Sequence, residues 1–562
     1  MASEKPDKTI VVIGGAQGGP VAAARAREFA EHARIILVEK ASHVSWVQAG
    51  LRHHLQGEVV GLDDLDRARQ SFFERRYRIE VRTHTTAIGL DNDARRVVVE
   101  TPNGNERIPY DAVIFAGGAR TPIPDVDGLV GDGVCTFRTL DDLRAIQSAI
   151  SAGAQSAVVL GAGGYGLDAA LGLRAAGLEV TVVERESRIL PGFSLPAARA
   201  AAKALRAAGV VLCAGESITV ARPHKKTGRA LTLSSGKTVT GDIVVVATGM
   251  EPRSQLLRDA GASVHKDGTI RVDRHMQTSL SRVYACGTAV SVPHTVTGAP
   301  TWLVQDAIIH RTAQIAGRSA AVGPEGRREE LAPVAGTSLH HVGRVFFGRT
   351  GISDALARSA FGDERVGVTT IHSSSSEAWL KGEDLTVRLV FDRATNAVVG
   401  GEVWGGVGVP RRIDLIAAAV LERWSPARLA GFDLAYNAAL GPAHDPLNDA
   451  GAIASMTLDG ETRSIDADVL ALRLAKGEPI TLVDLGTPDE ALRQRLPKST
   501  RTIPLEDLRE HVDELDKSQT VVLLSRTGRR AHLGARILRQ RGFESVLFLD
   551  GGAITWDLMH AE

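Results

Sequence analysis

The chain has 562 residues, 44% of them hydrophobic and 23% charged, which is too long for a single core and ordinary for a multidomain globular protein. Lys+Arg and Asp+Glu are equal at 66 each, so no global field draws the protein to nucleic acid or to an anionic membrane. No apolar run is long enough for a membrane span or a secretory core, and the expectation is a soluble cytoplasmic protein.

From the N-terminus, TIVVI (9–13) predicts a strand that ends in Gly14-x-Ala16-x-x-Gly19, with a helix predicted over 21–33. Small residues at these spacings let the backbone turn tightly, approach a pyrophosphate and pack helix on strand. The phosphate then meets the free N–H groups of the helix N-terminus. The next strand, RIILVEK, ends in Glu39 and Lys40, and Glu39 falls twenty residues after Gly19, where a ribose-binding acid is expected. Beyond it, residues 45–54 read SWVQAGLRHH.

YDAVIFAGGARTPIP (110–124) is a strand followed by Ala116, Gly117 and Gly118 and then prolines. The first pattern recurs at 156–185: a strand, Gly161-x-Gly163-x-x-Gly166, a helix, and a strand ending in Glu184, eighteen residues after Gly166. Two such units imply two dinucleotides. The acid favours the free 2′-hydroxyl of NADH, while Arg185 and Arg188 keep NADPH open. GDIVVVATGMEPR (241–253), with Gly249, repeats the strand–glycine–proline crossing, and VYACGTAV (283–290) adds Gly287 and Thr288.

The three cysteines, Cys135, Cys213 and Cys286, have no paired spacing, which excludes a disulfide framework or a multi-cysteine metal site. All three read as structural, Cys213 as a buried thiol in VVLCA. The pairs His53–His54 and His340–His341 are adjacent rather than at i, i+4, which argues against ligation, and no metal is expected.

These motifs, in this order, resemble the pyridine nucleotide-disulfide oxidoreductases, most closely the coenzyme A disulfide reductase and persulfide reductase type with a C-terminal rhodanese domain. The resemblance implies an α/β protein. A discontinuous FAD-binding domain spans 1–122 and 246–328, and an NAD(P)-binding domain 123–245. An α+β dimerisation domain spans 329–457, and a rhodanese-like α/β domain 465–562. It implies FAD held by Gly14, Ala16, Gly19, Glu39, Lys40, Ser45, Ala116, Gly117, Gly118, Gly287 and Thr288. It implies NAD(P)H held by Gly161, Gly163, Gly166, Glu184 and Gly249, in a homodimer.

The sequence leaves this pattern where the family handles sulfur. Relatives read approximately Ser-Phe-x-Asn-Cys-Gly-Leu-Pro-Tyr after the first acid; Ser45, Gly50 and Leu51 set the register and place Ala49 at the cysteine. Alanine forms neither a thiolate nor a mixed disulfide. The tyrosines that relatives bring to a partner subunit's thiol correspond to Trp379 and Leu440, with Tyr436 retained, and the usual flavin-contact aspartate is Thr288. The rhodanese loop opens with Ser525 in SRTGRR; a serine carries no sulfane sulfur, and the arginines and loop N–H groups leave either an anion nest or a retained scaffold.

Reduced flavin passes hydride without a cysteine. The residues left to serve an acceptor are Trp46, Arg52, His53, His54 and Tyr436 for catalysis, with Gln48, Ala49, Arg25 and Arg75 for substrate, the last two by resemblance to coenzyme A contacts. The leading expectation is a homodimeric FAD- and NAD(P)H-dependent oxidoreductase acting on a non-disulfide substrate such as a coenzyme A thioester. Two alternatives stay open: an NADH oxidase using oxygen, and a sensor or assembly module without turnover.

Overall fold

The structure, a computed structural model, describes residues 8–46, 48–65, 69–224, 228–497 and 499–560. It divides into two compact units, residues 1–187 with 209–334, and residues 188–208 with 335–562.

The first unit contains two parallel sheets of the same design. One is built from β1 (Thr9–Ile13), β2 (Arg34–Val38), β3 (Ile79–Arg82), β4 (Ala112–Phe115) and the strand Val283–Ala285, which lies at the edge beside β4. Helix α1 (Gly18–Phe29) joins β1 to β2, and α2 (Gly50–Leu55) follows β2. The other sheet is built from β5 (Val134–Thr136), β6 (Ser156–Leu160), β7 (Glu179–Glu184), Val211–Ala214 and Ile243–Val246. Helix α3 (Leu140–Ser151) precedes β6, and α4 (Gly164–Ala175) joins β6 to β7. Near-continuous Val, Ile and Leu in β1, β2 and β4 suit strands covered on both faces, and these strands are buried.

α1 ends at Phe29, short of the predicted residue 33. The buried Arg27 guanidinium donates to the carbonyls of Ala30, Glu31 and Ala33, and so closes the helix end with a side chain. Cys213 is half-buried rather than buried, because Val211–Ala214 is an edge strand that pairs on one side with β7. Cys286 is fully buried and Cys135 half-buried, and burial pushes both thiols up to about 12.

The second unit holds an antiparallel five-stranded sheet from residues 338–405 and a parallel sheet from residues 464–549, in the order 464–465, 546–549, 520–524, 480–484, 501–502. Residues 188–208, which lie within the span 123–245 expected for the second dinucleotide domain, pack here: Arg349 donates to the Gly192 carbonyl at 2.7 Å, and Ser194 donates to the buried Glu402 carboxylate. The two sheets of this unit are tied through Arg388 of Asp384–Asp392. Arg388 donates to Asp354 (2.6 Å), Thr370 (2.7 Å) and Asp550 (3.4 Å), while the Thr370 N–H donates to Asp550 at 2.7 Å. His340 and His341 alternate across the strand Ser338–Val342, the first against Phe193 and the second stacked on Phe346.

Candidate active site

The two glycine loops of the first unit are near copies. Gly14 and Gly161 have φ of +105° and +100°, and a Cβ on either would come within 2.4 Å of the Ala116 or Ala247 carbonyl oxygen. Gly19 and Gly166 press α1 and α4 onto these loops, where a Cβ would lie 1.7 and 2.0 Å from the carbonyl oxygens of Gly14 and Gly161. The Gly14 and Gly161 N–H groups both donate at 2.8 Å to the next strand, at Val38 and Val183. Each loop is therefore a tight turn aimed at a helix N-terminus, the arrangement that receives a pyrophosphate. A Cβ at Gly163 or Gly249 meets nothing within 4 Å, so the second cradle is open where a ligand would fill it.

The two acids are also equivalent. Glu39 accepts from the N–H groups of Gly15 (2.5 Å) and Ala41 (2.8 Å); Glu184 accepts from Ala162 (2.6 Å) and Glu186 (2.9 Å). Beside Glu39, the Lys40 ammonium is lowered from its ordinary value by burial and by the nearby Arg253. Arg253 is lowered by burial and by Arg138. Cations crowded in this way favour an anionic ligand.

Around the first cradle, Ala16 is exposed at the loop tip, and the Ser45 N–H donates to the Gly15 carbonyl at 2.7 Å. Ser45 has φ of +59°, a left-handed backbone uncommon for a residue with a side chain. A Cβ on Gly117 would strike the Phe115 ring, and one on Gly118 would lie 3.5 Å from the hydroxyl of Thr288. Thr288 is buried, its carbonyl accepting from the Trp302 indole at 2.9 Å, and the Gly287 N–H donates to Thr312 at 3.0 Å. The residues expected to hold both dinucleotides thus fit them by shape, by available N–H groups and by charge.

The segment 45–54 diverges from the expected cluster of catalytic side chains. Trp46 and Gln48 are half-buried, and the Gln48 amide nitrogen is buried without a hydrogen-bond partner among the described residues. Ala49 is exposed at the N-cap of α2, and Val47 lies outside the described residues. Arg52 is 7% exposed and donates to Asp168 at 3.0 Å. His53 turns outward onto Glu58 at 2.5 Å, and His54 Nε2 lies 2.6 Å from the Gln147 amide of α3. Arg25 is held by Glu28 and Glu329, whereas Arg75 is exposed on the helix Gln70–Tyr77. Asp168, two residues past Gly166, was missed by sequence reasoning, because nothing local signals its partner on a helix more than a hundred residues away.

In the second unit, Tyr436 is 59% exposed and donates to Glu377 at 3.2 Å; Trp379 and Leu440 are also exposed. Ser525 is 1% exposed, and its hydroxyl accepts from the Ala531 N–H at 3.1 Å. Arg529 pairs with Asp449, and Arg530 with Glu490 at 2.6 Å. Among the described residues no group of His, Cys, Asp and Glu could hold a metal ion, and no helix is long and apolar enough to cross a membrane.

Residues 8–301 match the family model of the pyridine nucleotide-disulphide oxidoreductases, and residues 466–558 match the rhodanese-like domain. The chain is 27% identical to an NADH oxidase of Methanocaldococcus jannaschii, over 78% of this chain and 96% of that one. It superposes on an NAD-dependent persulfide reductase from A. fulgidus with a TM-score of 0.90 and 27% identity, covering 98% and 100% of the two chains. It shares the fold of reduced CoADR-RHD from Bacillus anthracis, with a TM-score of 0.92 and 24% identity over 98% of each chain. With two dinucleotide cradles in the first unit and a rhodanese-like sheet in the second, the chain belongs to the pyridine nucleotide-disulphide oxidoreductase family, as a FAD-dependent NAD(P)H oxidoreductase.

Proposed function

We propose that this protein takes hydride from NAD(P)H and delivers it to a small acceptor without an enzyme thiol. The observation that carries this reading is Ala49: the segment after Glu39 exposes a methyl group at the start of α2, and the three cysteines lie elsewhere, on β5, on Val211–Ala214 and at Cys286. Bound FAD supplies hydride acceptance and donation. The chain's own residues bind and orient: Glu39 and Glu184 close the two loops, and Gln48 offers an amide N–H that has no partner among the described residues. A buried amide donor left unpaired is costly, and a carbonyl oxygen on the acceptor would satisfy it. This suits a coenzyme A thioester reduced beside its carbonyl better than a disulfide, which offers only weakly accepting sulfur. The Ser525 loop takes no part in sulfur transfer on this reading, and the assembly is a homodimer.

Anaerobic stopped-flow mixing tests the proposal. The NADH-reduced flavoprotein is mixed in turn with an enoyl thioester of coenzyme A, coenzyme A disulfide and a persulfide. Fast reoxidation by the thioester alone is expected; reoxidation by the disulfide at a comparable rate refutes it. The 27% identity to an NADH oxidase favours oxygen as a second acceptor. Stoichiometric peroxide or water formed at a rate matching thioester turnover would establish that reading instead.

A further inference from the structure

In the antiparallel sheet of the second unit, three charged residues stand abreast on neighbouring strands. Glu402 of Ala397–Gly405 is the register partner of Arg349 on Val345–Gly351 and of Arg388 on Asp384–Asp392. Side chains paired in this way ordinarily meet. Here they do not: among the described residues no ion pair joins Glu402 to either guanidinium. Both Glu402 oxygens accept from Ser194 instead, one from its N–H at 2.6 Å and one from its hydroxyl at 2.5 Å. Arg349 turns to the Gly192 carbonyl, and the two Nη atoms of Arg388 turn to Asp354, Thr370 and Asp550. A cavity opens among Gly192, Arg349, Ser353, Asp354, Arg388 and Glu402, and leaves about 10 Å³ within which the centre of a water-sized body can move. Arg388 is 5% exposed, and its Nε is buried without a hydrogen-bond partner among the described residues.

We propose that this cavity binds a single halide ion, held by the Arg388 Nε–H and the Arg349 guanidinium. Three features select that class of ligand. The unpaired group is a donor on a buried cation, so it calls for an acceptor, and a negative one bonds more strongly than a neutral one. The helix Asp354–Phe361 begins at the cavity wall, and the positive end of its dipole adds to the attraction. The space takes one atom somewhat larger than a water oxygen and is too small for sulfate, phosphate or a carboxylate. The acids at the wall do not fill this role. Asp354 meets Arg388 through Nη, and burial raises the Glu402 carboxyl from its ordinary value, with the Ser194 bonds and the Arg388 charge opposing that rise. A halide completes the hydrogen bonding of Arg388 and supplies the charge that Glu402 withholds by turning to Ser194. Occupation also ties the segment 188–208, which carries Gly192 and Ser194, to the strands of Arg349 and Arg388. The site therefore adds to the cohesion of the second unit and is independent of which acceptor the enzyme uses.

The test uses the full-length FAD-loaded chain. Thermal melts are recorded in sodium chloride and in sodium gluconate, whose anion is too large for the cavity, each from millimolar to several hundred millimolar. Chloride is expected to raise the Tm of wild type by about 2–4 °C more than gluconate does. Val390→Ile, which adds a methyl group at the cavity wall and removes no charge, is expected to lose that difference. If this variant does not fold, Arg349→Gln supplies the same comparison. Crystals of wild type soaked in sodium bromide locate the ion directly, with an anomalous peak expected within hydrogen-bond distance of Arg388 Nε. A water at that position under high bromide, melts that do not separate chloride from gluconate, or a chloride response retained in Val390→Ile overturns the proposal.

Discussion

The Glu184 carboxylate accepts a hydrogen bond from the Ala162 N–H at 2.6 Å and so closes the second glycine loop onto the end of its own strand. If Glu184 serves the second dinucleotide as proposed, the same carboxylate receives a ribose 2′-hydroxyl and repels a 2′-phosphate. Replacing Glu184 with serine should shift the NADPH-to-NADH ratio of kcat/KM upward by about tenfold, chiefly through a lower KM for NADPH. Steady-state kinetics with both nucleotides decide this, and an unchanged ratio assigns the specificity elsewhere.

Gly19→Ala should abolish FAD loading. Its Cβ would lie 1.7 Å from the Gly14 carbonyl oxygen, which is backbone and has no rotamer to yield. The purified variant is expected to lack the flavin absorbance band, and adding FAD should not restore it. Gly163→Ala makes a contrast: the site is open to 4 Å, so the fold and FAD survive while NADH binding weakens.

Ala49→Cys should add one fast-reacting thiol to the native protein. Ala49 is exposed, whereas burial holds Cys135 and Cys286 near 12, so neither reacts readily at neutral pH. Titration with a chromogenic disulfide before and after unfolding gives the count. A variant indistinguishable from wild type in its first seconds would contradict the exposure described.

Acid and base should act oppositely on the second unit. Burial, offset in part by Arg388, raises the Asp550 carboxyl to about 7, so the folded state keeps a proton that the unfolded chain releases near 3.9. The stability tied to this group is full below the unfolded value and is lost as pH rises through 7. Asp550→Asn should therefore gain on wild type by about 5–10 °C in Tm between pH 5 and pH 8. Burial lowers His372 to about 3, so its contribution runs the other way and is lost as pH falls below 6.5. Thermal melts at both pH values, variant against wild type, isolate the Asp550 part.

The nucleotide-binding half was legible because its signals are local. The Gly14 and Gly161 turns, the strands beside them and the acids at Glu39 and Glu184 each lie within one strand–helix–strand unit. The rhodanese-like fold was legible for the same reason, from the Ile480–Asp484 and Thr520–Leu524 strands and the loop at Ser525. The early end of α1 was not, since it depends on Arg27 finding carbonyls beyond the helix. Nor was the bond from Arg52 to Asp168, for the residues share no pattern until two helices are packed. Residues 188–208 sit inside the span of one sheet and pack on another unit, an arrangement that periodicity does not encode.

Arg388 gives the rhodanese-like sheet a structural place within the second unit. A chain ended before residue 464 would strip this guanidinium of Asp550 and Arg358 of Asp466, leaving Arg388 only Asp354 and Thr370 as hydrogen-bond partners among the described residues. His372 would lose Thr555 in the same cut. A rhodanese-like sheet with Ser525 in its loop can therefore be required by the folding of its neighbour, whatever chemistry that loop performs.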